Sequence, residues 1–245
     1  MILAIYTRKG GTGKTTTAIT LGNILANKGL RTLLVDLDSQ ANATSHFLTT
    51  PPALDTSAAF LQGDMPIIPI DLLRGLAPAS LNLAGVDYAL VTRPNRFEPF
   101  HKSLKKVQSE YDMIIMDLPP AMNQVSTAAL ASCDYLLSPV LPDVDSLSGL
   151  ALVEKACTLA GKTDGLDGIF LNMFSPRRTM DKAVESALRN GYGDKVYATS
   201  VRQCNKVRES HRFQKTVLEY APRSAAAEDY IRLANEFLTR ISQNL

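Results

Sequence analysis

Short apolar runs alternate with amphipathic stretches along this chain of 245 residues. The apolar runs predict strands at 2–7, 31–36, 112–117, 134–140 and 167–173. The amphipathic stretches predict helices at 15–28, 98–110, 125–132, 146–160, 179–190 and 225–243. This alternation predicts an α/β fold: a doubly wound, mostly parallel sheet with helices on both faces.

One predicted strand is apolar throughout, which is typical of a strand that is covered on both faces. It comprises Met113, Ile114, Ile115 and Met116. The stretch 49–100 is the richest in proline and is expected to hold long loops and short elements. No repeat or linker interrupts the chain, so we expect a single domain over residues 1–245.

A glycine-rich loop lies between the first predicted strand and the first predicted helix, which is the context of a phosphate-binding loop. Glycines let several backbone N–H groups face one anion, and the helix N-terminus adds partial positive charge. Lys14 is expected to reach the β and γ phosphates, and the Thr15 hydroxyl to bind Mg²⁺. The predicted nucleotide-binding residues here are Gly10, Gly11, Thr12, Gly13, Lys14, Thr15 and Thr16.

Acidic residues end two of the predicted strands. Asp36 and Asp38 follow the second strand, and Asp117 ends the strand 112–117. Ligands of open α/β sheets bind at the carboxyl ends of the strands. An aspartate that ends an apolar strand behind a phosphate loop is placed to hold Mg²⁺ through water, so we expect Asp117 to act with Thr15 at a metal site.

The loop departs from the common phosphate-loop pattern because Lys9 precedes its glycine pair. The form K-G-G-x-G-K-T is a deviant Walker A motif, and with it the chain resembles the ParA/MinD family of P-loop ATPases. The resemblance implies that Lys9 contacts the partner's nucleotide across an ATP-bridged dimer. It also implies that Asp38 orients or activates the attacking water and that Asp36 supports the magnesium shell. Ser39 replaces the proline of the family motif D-x-D-P-Q.

The resemblance to the ParA branch covers nearly the whole chain. Beyond the motifs above, the segments 78–85, 171–174 and 215–222 also resemble segments of that branch. The resemblance implies that Asn172 contacts adenine. Where relatives carry I-P-R-N, this chain has Val201-Arg202-Gln203-Cys204 and lacks the proline. Since the chain begins at its first strand, it is similar to the short type that has no N-terminal helix-turn-helix.

Membership in that branch implies a function with several parts. The implied cofactors are ATP and Mg²⁺. The implied reaction is hydrolysis of ATP to ADP and phosphate, which is slow until a ParB-like or cargo-adaptor protein stimulates it. The ATP-bound homodimer binds double-stranded DNA without sequence preference, in the cytoplasm and on the nucleoid. The sequence leaves the cargo open among a plasmid, a chromosome and a protein assembly.

The charge of the chain is unevenly distributed. The net charge is +2, which excludes a generally basic protein. Residues 200–215 nevertheless hold five basic side chains and one acidic one, whereas the remaining 229 residues hold 21 basic and 23 acidic ones. A local charge of +4 favours binding of phosphate backbones. In the resemblance, Lys206 falls where relatives carry a DNA-contacting arginine, and Arg177 and Arg178 fall near another basic position that relatives use. The predicted DNA-binding residues are Arg177, Arg178, Arg202, Lys206, Arg208, Arg212 and Lys215.

Three other functions remain as alternatives. A MinD-like membrane-cycling ATPase needs an amphipathic helix with a cationic face, but the last predicted helix carries Arg232 and Arg240 among three acids. We therefore expect no membrane partner. An iron–sulfur protein needs paired cysteines, and the three cysteines form no C-x-x-C pair. A small-molecule kinase needs a substrate lid, for which the sequence has no motif.

Overall fold

The computed structural model describes residues 1–243 and shows one sheet of eight strands with helices on both faces. The strands are β1 (Ile2–Ile5), β2 (Thr32–Asp36), β3 (Ile68–Pro69), β4 (Arg74–Ala77), β5 (Met113–Asp117), β6 (Tyr135–Val140), β7 (Gly168–Phe174) and β8 (Val201–Arg202). The helices are α1 (Lys14–Asn27), α2 (Asn42–Phe47), α3 (Ser57–Leu61), α4 (Leu83–Val91), α5 (Glu98–Gln108), α6 (Gln124–Ser132), α7 (Ser146–Ala160), α8 (Thr179–Tyr192), α9 (Asn205–Arg212), α10 (Val217–Tyr220) and α11 (Ala225–Gln243), with a short 3-10 turn at Gly193–Lys195.

The strand order is β3-β4-β2-β5-β1-β6-β7-β8. Every neighbouring pair is parallel except β3–β4, so the predicted doubly wound, mostly parallel fold is confirmed. The chain leaves β1 toward β2 on one side, whereas it leaves the adjacent β6 toward β7 on the other. Such a reversal opens a crevice at the carboxyl edge of the sheet, where ligands of open α/β sheets bind.

Side chains of the central strand alternate between two apolar cores. Ile2, Ala4 and Tyr6 pack into the core that holds the buried faces of α4 to α7. Leu3 and Ile5 point to the opposite core, which contains the buried residues of α1 and α11. Because each fully buried aliphatic side chain contributes about 1.5–3 kcal/mol, the two cores fix the central strands firmly. The functional loops are therefore attached to a rigid scaffold.

The sequence predicted the five long strands and six of the helices to within about two residues. It missed β4, the strand that pairs with β2, whose four residues include Arg74 and Gly75. A Cβ atom on Gly75 would lie 2.5 Å from the hydroxyl of Tyr111, so a tertiary contact requires glycine within this strand. The single domain over 1–245 stays a prediction, and residues 244–245 lie outside the described part of the chain.

Candidate nucleotide-binding site

The glycine-rich loop joins β1 to α1 at the carboxyl edge of the sheet. Gly11 and Gly13 adopt φ angles of +73° and +89°, which strain any residue with a Cβ atom. Gly13 has a second constraint, because a Cβ there would lie 2.3 Å from Nδ2 of Asn172. Gly13 also caps α1 without a side-chain hydrogen bond. The first N–H groups of α1 therefore remain available for an anion.

Lys14 is the first residue of α1, and its side chain is almost completely buried. Burial lowers its pKa, while the nearby carboxylates of Asp117 and Asp38 oppose that shift. The predicted phosphate-binding ammonium and the two predicted catalytic or metal-binding acids thus lie together. A buried cation among carboxylates can neutralise the charge of a bound phosphate group.

Asp36 and Asp117 are register partners on the adjacent parallel strands β2 and β5. Both side chains are buried. Asp36 accepts hydrogen bonds from the backbone N–H of Asp38 at 3.1 Å and from the N–H and hydroxyl of Thr44 at 2.8 and 2.7 Å. Burial raises the pKa of Asp36 to about 6, although these hydrogen bonds oppose the shift. Its contacts make Asp36 an anchor for the Asp38 segment and for α2.

Asp117 differs from Asp36 because neither of its buried carboxylate oxygens has a hydrogen-bond partner within residues 1–243. Burial and the neighbouring Asp36 raise its pKa well above the usual value, whereas Thr15 and Lys14 act in the opposite direction. A buried carboxylate beside a hydroxyl is a donor set that suits a hard divalent cation. The residues present therefore fit the predicted Mg²⁺ site.

Asp38 lies in a loop that is held at several points. Its backbone N–H donates to Asp36, and its Oδ1 accepts from the N–H of Gln40 at 3.0 Å. Its carbonyl accepts from the N–H of Ala41, which adopts a positive φ of 52°. The half-buried carboxylate of Asp38 thus sits near Lys14 on a defined loop, although Ser39 replaces the proline of the family motif.

Lys9 forms an ion pair within its own chain. Its Nζ lies 2.5 Å from Asp143 and 4.0 Å from Asp145, both in the loop after β6. The hydrogen bond from Lys9 to Asp143 raises the pKa of this lysine. The Lys9 side chain is 41% exposed and lies at the surface of the crevice. Its predicted contact with a partner's nucleotide requires that this pair be broken.

An open cleft extends from the phosphate loop between the ends of β7 and β8. The buried Asn172 donates from Nδ2 to the carbonyl of Thr12 at 2.7 Å, so its amide holds the loop. Its predicted contact with adenine stays a prediction. Thr16 lines the cleft and shares a 2.8 Å hydrogen bond with His211, and Tyr230 lies beside them. The sequence patterns did not single out His211, Tyr230 or Asp143.

Comparisons with known proteins extend over the whole chain. The family model of the AAA domain (AAA_31) matches residues 1–163. The chromosome-partitioning ATPase Soj of Thermus thermophilus is 33% identical, with 98% of this chain and 96% of the relative covered. The chromosome partitioning protein ParA of Caulobacter vibrioides is 30% identical, with 98% and 94% covered. The chain belongs to the ParA family.

Solved structures agree with this ParA-family fold. A putative plasmid partition protein of Borrelia burgdorferi bound to AMPPNP has a TM-score of 0.84 at 21% identity and covers 98% of each chain. Cobyrinic acid a,c-diamide synthase of Mycobacterium smegmatis, with bound ADP and magnesium, also has a TM-score of 0.84, at 22% identity, and 100% of this chain and 96% of that chain are covered. At such identities these likenesses show the fold alone.

The predicted DNA-binding residues of this ParA-family chain lie in two groups after the neighbouring strands β7 and β8. The first group, Arg177 and Arg178, is exposed at the start of α8, and the second is exposed on and after α9. Within residues 1–243, none of the following forms an ion pair: Arg177, Arg178, Arg208, Arg212 and Lys215. Lys206 pairs with Glu209 at 2.7 Å on the surface of α9. Since both groups follow carboxyl ends of parallel strands, they share the edge that holds the phosphate loop.

Arg202 is the exception among the predicted DNA-binding residues. Its Nε lies 2.7 Å from the carboxylate of Asp229, which is fully buried on α11. A further donor of the same guanidinium reaches the carbonyl of Ala225 at 3.2 Å. Arg232 also pairs with Asp229, and breaking the Arg202 pair would remove one of the two cations that neutralise this buried carboxylate. These contacts make Arg202 a support for the wall of the cleft, and its DNA role stays a prediction.

Proposed function

We propose that the protein is a ParA-type ATPase that binds ATP with Mg²⁺, dimerises and then binds DNA without sequence preference. Hydrolysis to ADP and phosphate would be slow until a ParB-like or cargo-adaptor protein stimulates it, and the cycle would segregate DNA or position a protein cargo. The proposed location is the cytoplasm, on the nucleoid. The observation that carries the proposal is the convergence of Lys14, Asp38 and the unpartnered Asp117 behind the phosphate loop.

Each part of the site has a proposed task. The loop N–H groups and Lys14 would bind the β and γ phosphates, and Thr15 with Asp117 would hold Mg²⁺ directly or through water. A bound Mg²⁺ supplies positive charge that offsets the charge of the phosphate oxygens. Asp38 would orient the attacking water, for which its place near Lys14 on a defined loop is suited. Asp36 would hold the loop of Asp38 in register.

Dimerisation is the proposed task of Lys9. Its ammonium is accessible, and Asp143 and Asp145 hold it at the rim of the crevice. A second chain that approaches this edge with its own nucleotide offers phosphate oxygens as alternative partners for the ammonium. We therefore propose that Lys9 exchanges Asp143 for the partner's nucleotide in the ATP-bound dimer.

DNA binding is assigned to the exposed cations that follow β7 and β8. Because both groups follow carboxyl ends of neighbouring strands, they would form one positively charged surface, and a dimer would present two copies of it. The proposed DNA-binding residues are Arg177, Arg178, Lys206, Arg208, Arg212 and Lys215.

The MinD-like alternative has less support, because α11 uses its apolar stripe for packing. Leu233, Ala234 and Phe237 are fully buried against the core that contains α1. An interfacial membrane helix needs such a face free for lipid. None of the helices between residues 1 and 243 combines the length and apolarity that spanning a bilayer requires.

A DNA mobility-shift assay with ATP, ADP or no nucleotide tests the proposal. We expect the parent protein to retard duplexes of unrelated sequence with ATP and Mg²⁺ and to lose this binding as salt rises. Lys14→Ala should lose ATP binding and the shift. Lys206→Ala combined with Arg212→Ala should weaken the shift for all sequences and leave ATP binding intact. A parent protein that binds vesicles but no DNA in the presence of ATP would favour the MinD-like alternative.

A further inference from the structure

We propose that His211 is a positioning residue that couples the nucleotide in the phosphate loop to the basic helix α9. This inference rests on the proposed function, because it concerns how ATP changes DNA binding. It assigns a task to a histidine that no motif identifies.

The first observation is the contact between α9 and the phosphate loop. Thr16 lies in the first turn of α1, and its Oγ1 is 2.8 Å from Nε2 of His211 near the end of α9. Both side chains line the cleft that begins at Gly13 and reaches Asn172. His211 thus connects a residue predicted to bind the nucleotide with a helix predicted to bind DNA.

The second observation is that a small set of contacts holds α9: besides His211, Val207 packs against the core that contains α11, and the Tyr220 hydroxyl donates to Glu209 at 3.0 Å. Of its eight residues, Ser210 is the buried one. The cations Lys206, Arg208 and Arg212 are exposed on the same short helix, and Lys206 pairs there with Glu209. A helix with so little buried surface depends on its individual polar contacts for its position. Changing the contact at His211 is therefore expected to move or loosen the cations.

The third observation is that α2 contacts the same region. The His46 ring of α2 packs edge-on against the His211 ring, with centroids 6.1 Å apart. Beyond α9, Gln214 donates to the carbonyl of Ser45 at 2.8 Å. The helix α2 follows the Asp38 loop, and its Thr44 is bound to Asp36. The helices α1, α2 and α9 therefore meet at His211.

Hydrogen-bond capacity supplies the physical step. Partial removal from water lowers the pKa of His211, which favours the neutral ring. The proposed coupling uses the tautomer with its proton on Nδ1, in which Nε2 accepts from the Thr16 hydroxyl. The single hydroxyl proton of Thr16 can be donated either to that nitrogen or to a phosphate oxygen of a bound nucleotide, but not to both. Occupation of the loop thus changes the hydrogen bond that holds α9.

The test measures the ratio of the DNA dissociation constants without and with ATP, by fluorescence anisotropy of a labelled duplex. In His211→Ala the ratio should shrink about 3- to 10-fold relative to the parent, the range of one hydrogen bond. His211→Gln offers an amide in place of the ring and should restore most of the ratio. His101→Ala removes a histidine on α5, far from the cleft, and should keep the parent ratio.

Thermodynamic reciprocity gives a second readout. Saturating DNA should tighten ATP binding by the parent, by the same factor by which ATP tightens DNA binding. In His211→Ala both factors should shrink equally. The inference is overturned, but the proposed function stands, if the parent shows ATP-dependent DNA binding and His211→Ala has the same ratio of DNA dissociation constants as the parent. A parent protein that binds ATP but shows no ATP-dependent DNA binding overturns both. Equal losses in the alanine and glutamine variants would mean a purely structural histidine and would also reject the coupling.

Discussion

Gly13→Ala tests whether the contact between the phosphate loop and Asn172 is as close as the structure shows. An added Cβ meets Nδ2 of Asn172 at 2.3 Å, and the backbone stays at a φ of +89°. Asn172 is buried, so its amide can retreat only by giving up the 2.7 Å hydrogen bond to the carbonyl of Thr12. The substitution therefore combines backbone strain with a lost buried hydrogen bond.

The expected magnitude follows from these two contributions. A left-handed conformation costs an L-residue about 1–2 kcal/mol. A buried carbonyl that loses its partner costs about 1–3 kcal/mol. We expect Gly13→Ala to lower the free energy of unfolding by about 2–5 kcal/mol, measured by urea denaturation followed by far-UV circular dichroism. ATP affinity should fall as well, since the loop N–H groups change direction.

Gly10→Ala is the matched control within the same loop. A Cβ on Gly10 has no heavy atom within 4 Å, and its φ is not in the left-handed region. We expect its unfolding free energy to stay within about 0.5 kcal/mol of the parent value. The double variant that combines Gly13→Ala with Asn172→Ala no longer has the overlap. Its loss of unfolding free energy should therefore be at least about 1 kcal/mol smaller than the sum of the losses in the two single variants. Equal stability of Gly10→Ala and Gly13→Ala, or simple additivity with Asn172→Ala, would refute the reasoning.

Two further predictions concern buried titratable groups. Burial and Asp36 disfavour the charge of Asp117 more than Thr15 and Lys14 favour it, so Asp117→Asn should raise the unfolding free energy of the nucleotide-free protein by about 1–3 kcal/mol, while Mg²⁺-dependent ATP binding is lost. A destabilised variant or normal ATP binding by calorimetry would contradict this assignment. Burial, with nearby His211, lowers the pKa of His46 to about 4, so between pH 6.5 and 4 the unfolded chain binds a proton that the folded chain rejects. In urea titrations, the free energy of unfolding of the parent should therefore fall by about 2 kcal/mol more than that of His46→Gln between pH 7 and pH 5. A difference between the two proteins that does not change with pH would show that His46 is not buried as a neutral ring.

The predictability of this site from sequence depended on how far apart its members lie along the chain. Lys14 and Thr15 share one loop with its glycines, so spacing alone identified them. Asp36 and Asp117 each end an apolar strand, and the parallel register brings them together as expected. Thr16 and His211 are separated by 195 positions, and Lys9 and Asp143 by 134, so no local pattern could join them.

The basic segment shows the opposite limit. Its charge pattern indicated a cationic surface, but a pattern does not show which cations are already paired. Arg202 is bound by Asp229, which lies 27 positions later on α11 and is fully buried. Arg208 and Arg212 have the same charge and stay exposed on α9. Tertiary contacts, rather than composition, therefore decide which members of the segment are available for DNA.

The mass of the Asp38→Ala variant in solution, measured by light scattering after gel filtration, tests the central claim most directly. With ATP and Mg²⁺ the variant should bind nucleotide, hydrolyse it poorly and elute with the mass of two chains, whereas with ADP it should have the mass of one. Adding Lys9→Ala should abolish the dimer by removing the cation predicted to reach the partner's nucleotide. A single-chain mass with ATP bound, or a dimer of equal strength with ADP, would contradict the account.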